Sequence, residues 1–219
     1  MEILIIGTKY QHQEVQQKFG STHSYLVVPN HQDLHAILKT SPVVFDFIIE
    51  DDPYQLNHYQ DNPDLIVFLN TTYTNLHQLN VKGFKNTFIG FCGLPTFLNR
   101  DIFEVSLSSE SDGTVLEGIC KKLQTAFQVV ADRVGFVTPR VICMIINEAY
   151  FAMEEGTATK EDIDLAMKLG TNYPFGPFEW CEKIGKKNVV ALLNAMYQDT
   201  NDTRYKACDR LVKESGESH

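Results

Sequence analysis

The chain has 219 residues, 43% of them hydrophobic, and its 28 acidic against 19 basic residues leave a formal net charge of −9. That length supports one large domain or two small ones, each with its own core. The acidic balance repels phosphate backbones, which makes nucleic acid a poor partner. No apolar run approaches the roughly 20 residues that span a bilayer, so a cytoplasmic protein with no membrane contact is expected.

Met1 to Gly7 passes straight into a strand-like run with no basic stretch ahead of it, so no signal peptide is expected. Five short apolar runs follow in the first half: Ile3-Leu4-Ile5-Ile6, Tyr25-Leu26-Val27-Val28, Phe45-Asp46-Phe47-Ile48-Ile49, Leu65-Ile66-Val67-Phe68-Leu69 and Thr87-Phe88-Ile89-Gly90-Phe91. Runs of this length, rich in β-branched and aromatic residues, predict strands buried on both faces, the pattern of a parallel sheet. Helical segments are predicted over residues 11–19 and 33–38, and this alternation predicts a doubly wound α/β domain. A further helix over 115–127 and a strand over 128–130 complete it, with a domain boundary near Arg133 that separates 1–133 from 134–219.

Beyond that boundary the apolar positions recur at helical spacing. Val141, Ile145 and Ala149 lie on one line, with Ile142, Ile146 and Tyr150 beside it, and Gly156 ends the helix. Thr159 caps a second helix with Asp162 three residues on; Ile163, Ala166 and Met167 form its inner face, and Gly170 stops it. Pro177 suits the first turn of a third helix, and residues 188–197 and 204–213 give a fourth and fifth. The last residues, 214–219, read as frayed.

Cys92, Cys120, Cys143, Cys181 and Cys208 include no C-x-x-C pair, so reduced, buried thiols are the default. Of the histidines, His31 and His35 share a helical spacing but have no third ligand nearby in sequence, so no metal site is expected.

The run from Gly135-Phe136-Val137 to Asn147-Glu148-Ala149, then Glu155-Gly156, Glu161-Asp162-Ile163-Asp164, Gly170 and Tyr173-Pro174-Phe175-Gly176-Pro177-Phe178-Glu179, resembles the C-terminal domain of the L-3-hydroxyacyl-CoA dehydrogenase family. Upstream, Leu69-Asn70-Thr71-Thr72 resembles that family's Ser-Asn-Thr-Ser turn, and Gly90-Phe91-Cys92-Gly93-Leu94-Pro95 stands where it has Gly-x-His-Phe-x-x-Pro. The twelve-residue step from Cys92 to Glu104 agrees with the family spacing. The resemblance implies a shortened Rossmann-like parallel-sheet domain followed by an all-helical dimerisation domain, NAD as cofactor, an acyl-CoA-like ligand and a homodimer formed by the helices.

Several residues depart from what the resemblance implies. A dinucleotide loop needs G-x-G-x-x-G; in Gly7-Thr8-Lys9-Tyr10-Gln11-His12 only Gly7 remains, while Lys9 and His12 replace the other two glycines. The strand expected to end in an acidic ribose ligand ends Val28-Pro29-Asn30, and the stretch from Asn30 to Ser41 is too short for the family's CoA-contacting arm. The family's proton-accepting His is Cys92 and its substrate-binding Asn is Pro139; Thr72 offers a hydroxyl in place of the Ser, and Glu104 is unchanged. Glu104 is open to two readings, a site carboxylate or an outward strand residue; so is Cys92, a small buried residue or a reactive thiol. The expectation is a degenerate family member acting in binding or scaffolding, with a working dehydrogenase that uses Glu104 or Cys92 as the alternative. A redox or thioester enzyme acting through Cys92 lacks a visible base.

Overall fold

The computed structural model describes residues 1–32, 34–39 and 43–216, with the side chains of His35 and Ala36 outside that description. The chain divides into two units, Met1–Phe136 and Val137–His219.

The first unit is a seven-stranded sheet. In chain order its strands are β1 (Glu2–Ile6), β2 (Ser24–Val28), β3 (Val43–Asp46), β4 (Ile66–Asn70), β5 (Thr87–Phe91), β6 (Ile102–Leu107) and β7 (Ala126–Val129). They lie side by side as β2-β1-β3-β4-β5-β6-β7, and every pair is parallel except β5 with β6. Side chains alternate between the two faces with the period of two that an extended chain imposes. Ile3, Ile5, Val43, Phe45 and Phe68 enter one core, against Val15 and Phe19 of α1 (Lys9–Phe19) and Leu116 and Ile119 of α3 (Gly113–Lys122). Leu4, Ile6, Val44, Val67 and Leu69 enter the other, against Leu34 of α2 (Leu34–Ile37), Leu38, Leu56 and Tyr59.

Three expectations change here. β2 is an edge strand and stays partly exposed, because only β1 lies beside it. The helix predicted over 115–127 spans Gly113–Lys122, since Gln124 adopts the left-handed conformation and Phe127 pairs with Phe103 in the sheet. Asp33 lies outside the described residues, so the predicted 33–38 helix is seen as Leu34–Ile37. His31 pairs with Asp46 at 2.7 Å, and the side chain of His35, which shares its helical spacing, lies outside the described residues.

The second unit contains α4 (Thr138–Glu154), α5 (Lys160–Thr171), α6 (Pro177–Ile184), α7 (Lys186–Thr200) and α8 (Asp209–Ser215). Ile142, Cys143, Ile146, Asn147, Ala149 and Tyr150 bury one side of α4. Asn147 is held at both ends: its Nδ2 donates to Lys206 O at 2.9 Å and its Oδ1 accepts from Cys208 N at 2.8 Å. α5 continues through Gly170 and stops at Asn172, whose left-handed conformation ends the helix. Ala166, expected on its inner face, is exposed. The predicted fifth helix divides into a short 3-10 turn, Thr203–Tyr205, and α8. Among the described residues no helix is long and apolar enough to cross a membrane.

The Ile163-Asp164 and Pro-Phe-Gly-Pro motifs have a joint physical basis. Asp164, on α5, accepts from Phe178 N at 2.8 Å and Glu179 N at 3.2 Å, so a carboxylate from one helix caps the first turn of the next. Gly176 lies against that carboxylate, and a Cβ there would collide with it. Asp164→Ala should remove the cap and lower stability by about 1–2 kcal/mol, measured by denaturant unfolding. An unchanged midpoint would show that water satisfies those amides equally well.

Candidate functional site

Gly7, Thr72 and Cys92 follow the carboxyl ends of β1, β4 and β5, Lys9 and His12 lie on α1, and Glu104 lies within β6. Gly7 follows β1, with its N–H bonded to Val28 O at 2.8 Å. α1 begins immediately after it. Thr8 caps that helix, and Gln11 closes a reciprocal capping box: Thr8 N donates to Gln11 Oε1 at 2.7 Å, while Gln11 N donates to Thr8 Oγ1 at 3.4 Å. The Gln11 carboxamide lies against Gly7, in the space a Cβ would take. Lys9 is exposed, and His12 is half-buried with its ring 5.7 Å from that of Tyr25. His12 therefore packs toward β2. The residue that fills the helix N-terminus is Gln11, which the sequence reading passed over although Thr8-Lys9-Tyr10-Gln11 is a capping-box pattern.

A dinucleotide would need those α1 amides for its pyrophosphate. Here the capping box engages the Thr8 and Gln11 amides and fills the space beside Gly7. At the end of β2, Asn30 stands where the ribose carboxylate was expected, and its Oδ1 is spent on Gln32 N at 2.9 Å. These residues do not fit a bound dinucleotide.

Thr72, Cys92 and Glu104 are brought together. β5 and β6 pair antiparallel, with Phe91 opposite Val105; carried one residue further, the register sets Cys92 opposite Glu104. This cross-strand pairing is the physical content of the twelve-residue step. Thr72 Oγ1 lies 3.5 Å from Cys92 Sγ. That hydroxyl is fully buried and committed: it donates to Asn70 Oδ1 at 2.6 Å and accepts from Gly93 N at 3.1 Å. A single O–H has one proton to give, so Thr72 has none left for a substrate oxygen in this arrangement. Burial pushes the Cys92 thiol up to about 12, and the nearby charges of Glu50 and Glu104 act in the same direction. At neutral pH Cys92 is a protonated thiol, a poor proton acceptor and a poor nucleophile. Glu104 is partly buried on β6. Pro139 belongs to the second unit, buried in the first turn of α4, where its missing N–H costs the helix nothing; it offers no side-chain hydrogen bond.

Asn70 organises this region. Its Oδ1 also accepts from Gly93 N at 2.9 Å, and its Nδ2 donates to Phe47 O and to Glu50 Oε2, both at 3.1 Å. Glu50 in turn accepts from Tyr73 N at 2.6 Å and Thr74 N at 3.1 Å. Desolvation raises its carboxyl to about 8 against the opposing pull of those two amides. All five cysteines are free and buried, and among the described residues no group of three or more His, Cys, Asp or Glu side chains could hold a metal ion.

Residues 135–217 match the family described as 3-hydroxyacyl-CoA dehydrogenase, C-terminal domain. The chain is 29% identical over 204 residues to a 3-hydroxybutyryl-CoA dehydrogenase of Clostridioides difficile, an overlap of 91% of this chain and 71% of that protein. It is 40% identical over 91 residues to the 3-hydroxyadipyl-CoA dehydrogenase of Escherichia coli (strain K12), covering 40% of this chain and 19% of that one. The crystal structure of an (S)-3-hydroxybutyryl-CoA dehydrogenase from Ralstonia eutropha shares its fold, with a TM-score of 0.75 and 19% identity over 97% of this chain and 92% of the other.

The buried Cys92 thiol gives a direct check. In the native protein at about pH 8, iodoacetamide should leave Cys92 unmodified over hours, and denaturant should expose it, because the reactive form is the thiolate. Mass mapping that found Cys92 alkylated in the folded protein would overturn its description as a buried thiol.

Proposed function

We propose that this chain, whose helical unit is a 3-hydroxyacyl-CoA dehydrogenase C-terminal domain and whose whole length resembles that family, is a member that has kept the fold and given up efficient NAD-dependent hydride transfer. Its role is binding or scaffolding, with an acyl-CoA-like molecule as the ligand class. The observation that carries this reading is the Thr8–Gln11 box beside Gly7, which engages two of the amides at the helix start where a pyrophosphate would sit. The neutral thiol at position 92 and the committed Thr72 hydroxyl add to it. Losing a positioned acid–base group costs about 10²- to 10⁴-fold in rate, and losing a donor to the developing oxyanion costs about 10²- to 10³-fold. The two losses are not additive, but the smaller alone leaves a poor enzyme. Acetoacetyl-CoA with NADH should therefore give little or no turnover, and Cys92→His with Pro139→Asn should not restore it while Gln11 stays in place. Turnover above about one per second, within the ordinary enzyme range, would contradict this reading.

A second reading, an active dehydrogenase with an altered site, draws on the register that keeps Glu104 opposite position 92. Glu104→Gln separates the two: loss of a measured activity would favour the second reading.

The assembly we propose is a homodimer built on the helical unit. Ile142, Ile146 and Ala149 of the expected apolar stripe are used inside the unit, while Val137 and Val141 remain about half exposed. On α5, Leu165 and Leu169 are 53% and 78% exposed. Apolar side chains this open on two helices suit an obligate interface, which would bury more than about 2,000 Å² in total. Light scattering at micromolar concentration should report twice the chain mass; a monomer there would contradict the proposal.

A further inference from the structure

Two loops leave the strand ends that bear Thr72 and Cys92, and each is fastened by one buried or partly buried carboxyl group. The loop after β5 is fastened by Glu14 of α1, whose Oε1 accepts from Thr96 N at 2.9 Å and from Tyr10 OH at 3.4 Å. Glu14 is only 7% exposed, and its other oxygen, Oε2, is buried with no partner. Thr96 itself sits at φ +77°, a conformation that a β-branched residue adopts only under strain. The loop after β4 is fastened by Glu50 through Tyr73 N and Thr74 N, with Asn70 Nδ2 on its second oxygen.

We propose that Glu14 and Glu50 are proton-held clasps that keep these two loops closed at the Thr72–Cys92 site, so that its rim loosens as the pH rises. At Glu14 a buried carboxylate whose outer oxygen lacks a donor is costly, whereas the protonated acid holds the same N–H group without a buried charge. At Glu50 both oxygens accept, and the cost is that of keeping a charge out of water among neutral amide donors. Opening a loop returns the carboxyl to water. Burial is the largest influence on both groups and raises both above the ordinary carboxylate range, Glu50 to about 8. The closed loop therefore keeps a proton that the opened loop releases. Closure is at full strength below about pH 4.5 and is lost as the pH climbs toward the closed-state value, by about tenfold per pH unit between the two. Facing Glu14 are Tyr10 from its own helix and Thr96 from the loop. Facing Glu50 are Asp51 from its own segment, the amides of Tyr73 and Thr74, and the Cys92 thiol. The clasps stand independently of whether the site turns over NADH, since they concern only how its rim is held.

The test is amide hydrogen exchange of the whole chain by NMR between about pH 5 and pH 8, corrected for intrinsic exchange. Protection of Tyr73 and Thr74 should fall at least about tenfold across that range, and that of Thr96 should fall in the same direction. Glu14→Gln should flatten the profile at Thr96 alone, and Glu50→Gln that at Tyr73 and Thr74 alone. Protection that is flat with pH in the unmodified protein would overturn the proposal. So would equal changes at all three amides and at those of β1 and β3 in both variants, since that pattern is global unfolding. If a Gln variant does not fold, the carboxyl carbon of each Glu, followed by NMR in the unmodified protein, must titrate in step with the amides it holds; titration out of step also overturns the proposal.

Discussion

Main-chain N–H groups at the carboxyl edge of a parallel sheet must find acceptors, because an unpaired buried donor is expensive. In this protein several of them find those acceptors within the chain. Gln11 takes the amide of Thr8 at the start of α1. Asn70 takes those of Thr72 and Gly93, Glu50 those of Tyr73 and Thr74, and Glu14 that of Thr96. In a dinucleotide-binding sheet part of this work falls to the ligand's phosphates. Here the protein itself takes up the Thr8 and Gln11 amides at the start of α1, and a phosphate seated on them would have to displace the Gln11 side chain.

The chemistry of the strand ends follows from the same economy of donors. Once Asn70 is fixed by Phe47 O and Glu50, its Oδ1 draws in the Thr72 hydroxyl and the Gly93 amide together. Cys92 is then buried beside them, and that burial holds its proton tightly. Glu104 keeps its place across the strand pair, yet the residue it faces has no second ring nitrogen to orient. Asn70, Thr72, Gly93 and Glu50 thus form one polar network within the first unit.

Much of the fold was legible in the sequence because its cause is local. Continuous β-branched runs such as Ile3 to Ile6 became central strands, and the helical spacing of Ile142, Ile146 and Ala149 became the buried side of α4. What sequence position could not convey was neighbourhood. The run at Tyr25 to Val28 looks like the other strands, but only its place at the sheet edge leaves it half-covered. Gly170 looked like a helix stop, but the left-handed residue is Asn172. The bonds that define the site join residues far apart in the chain, Asn70 to Gly93 and Glu14 to Thr96, and no local pattern announces them. Thr8 to Gln11 is the opposite case: the pattern stood in the sequence, and comparison with a glycine-rich loop drew attention to Lys9 and His12 instead.

The central claim is that the Thr8–Gln11 box already occupies the start of α1, and its most direct measurement is residue-resolved. NAD titrated into ¹⁵N-labelled protein should leave the amide resonances of Gly7, Thr8 and Gln11 unshifted, or shift them without saturation up to millimolar concentration. Saturable shifts at those three amides with a dissociation constant of about a few micromolar, equivalent to roughly −7 to −8 kcal/mol, would contradict it.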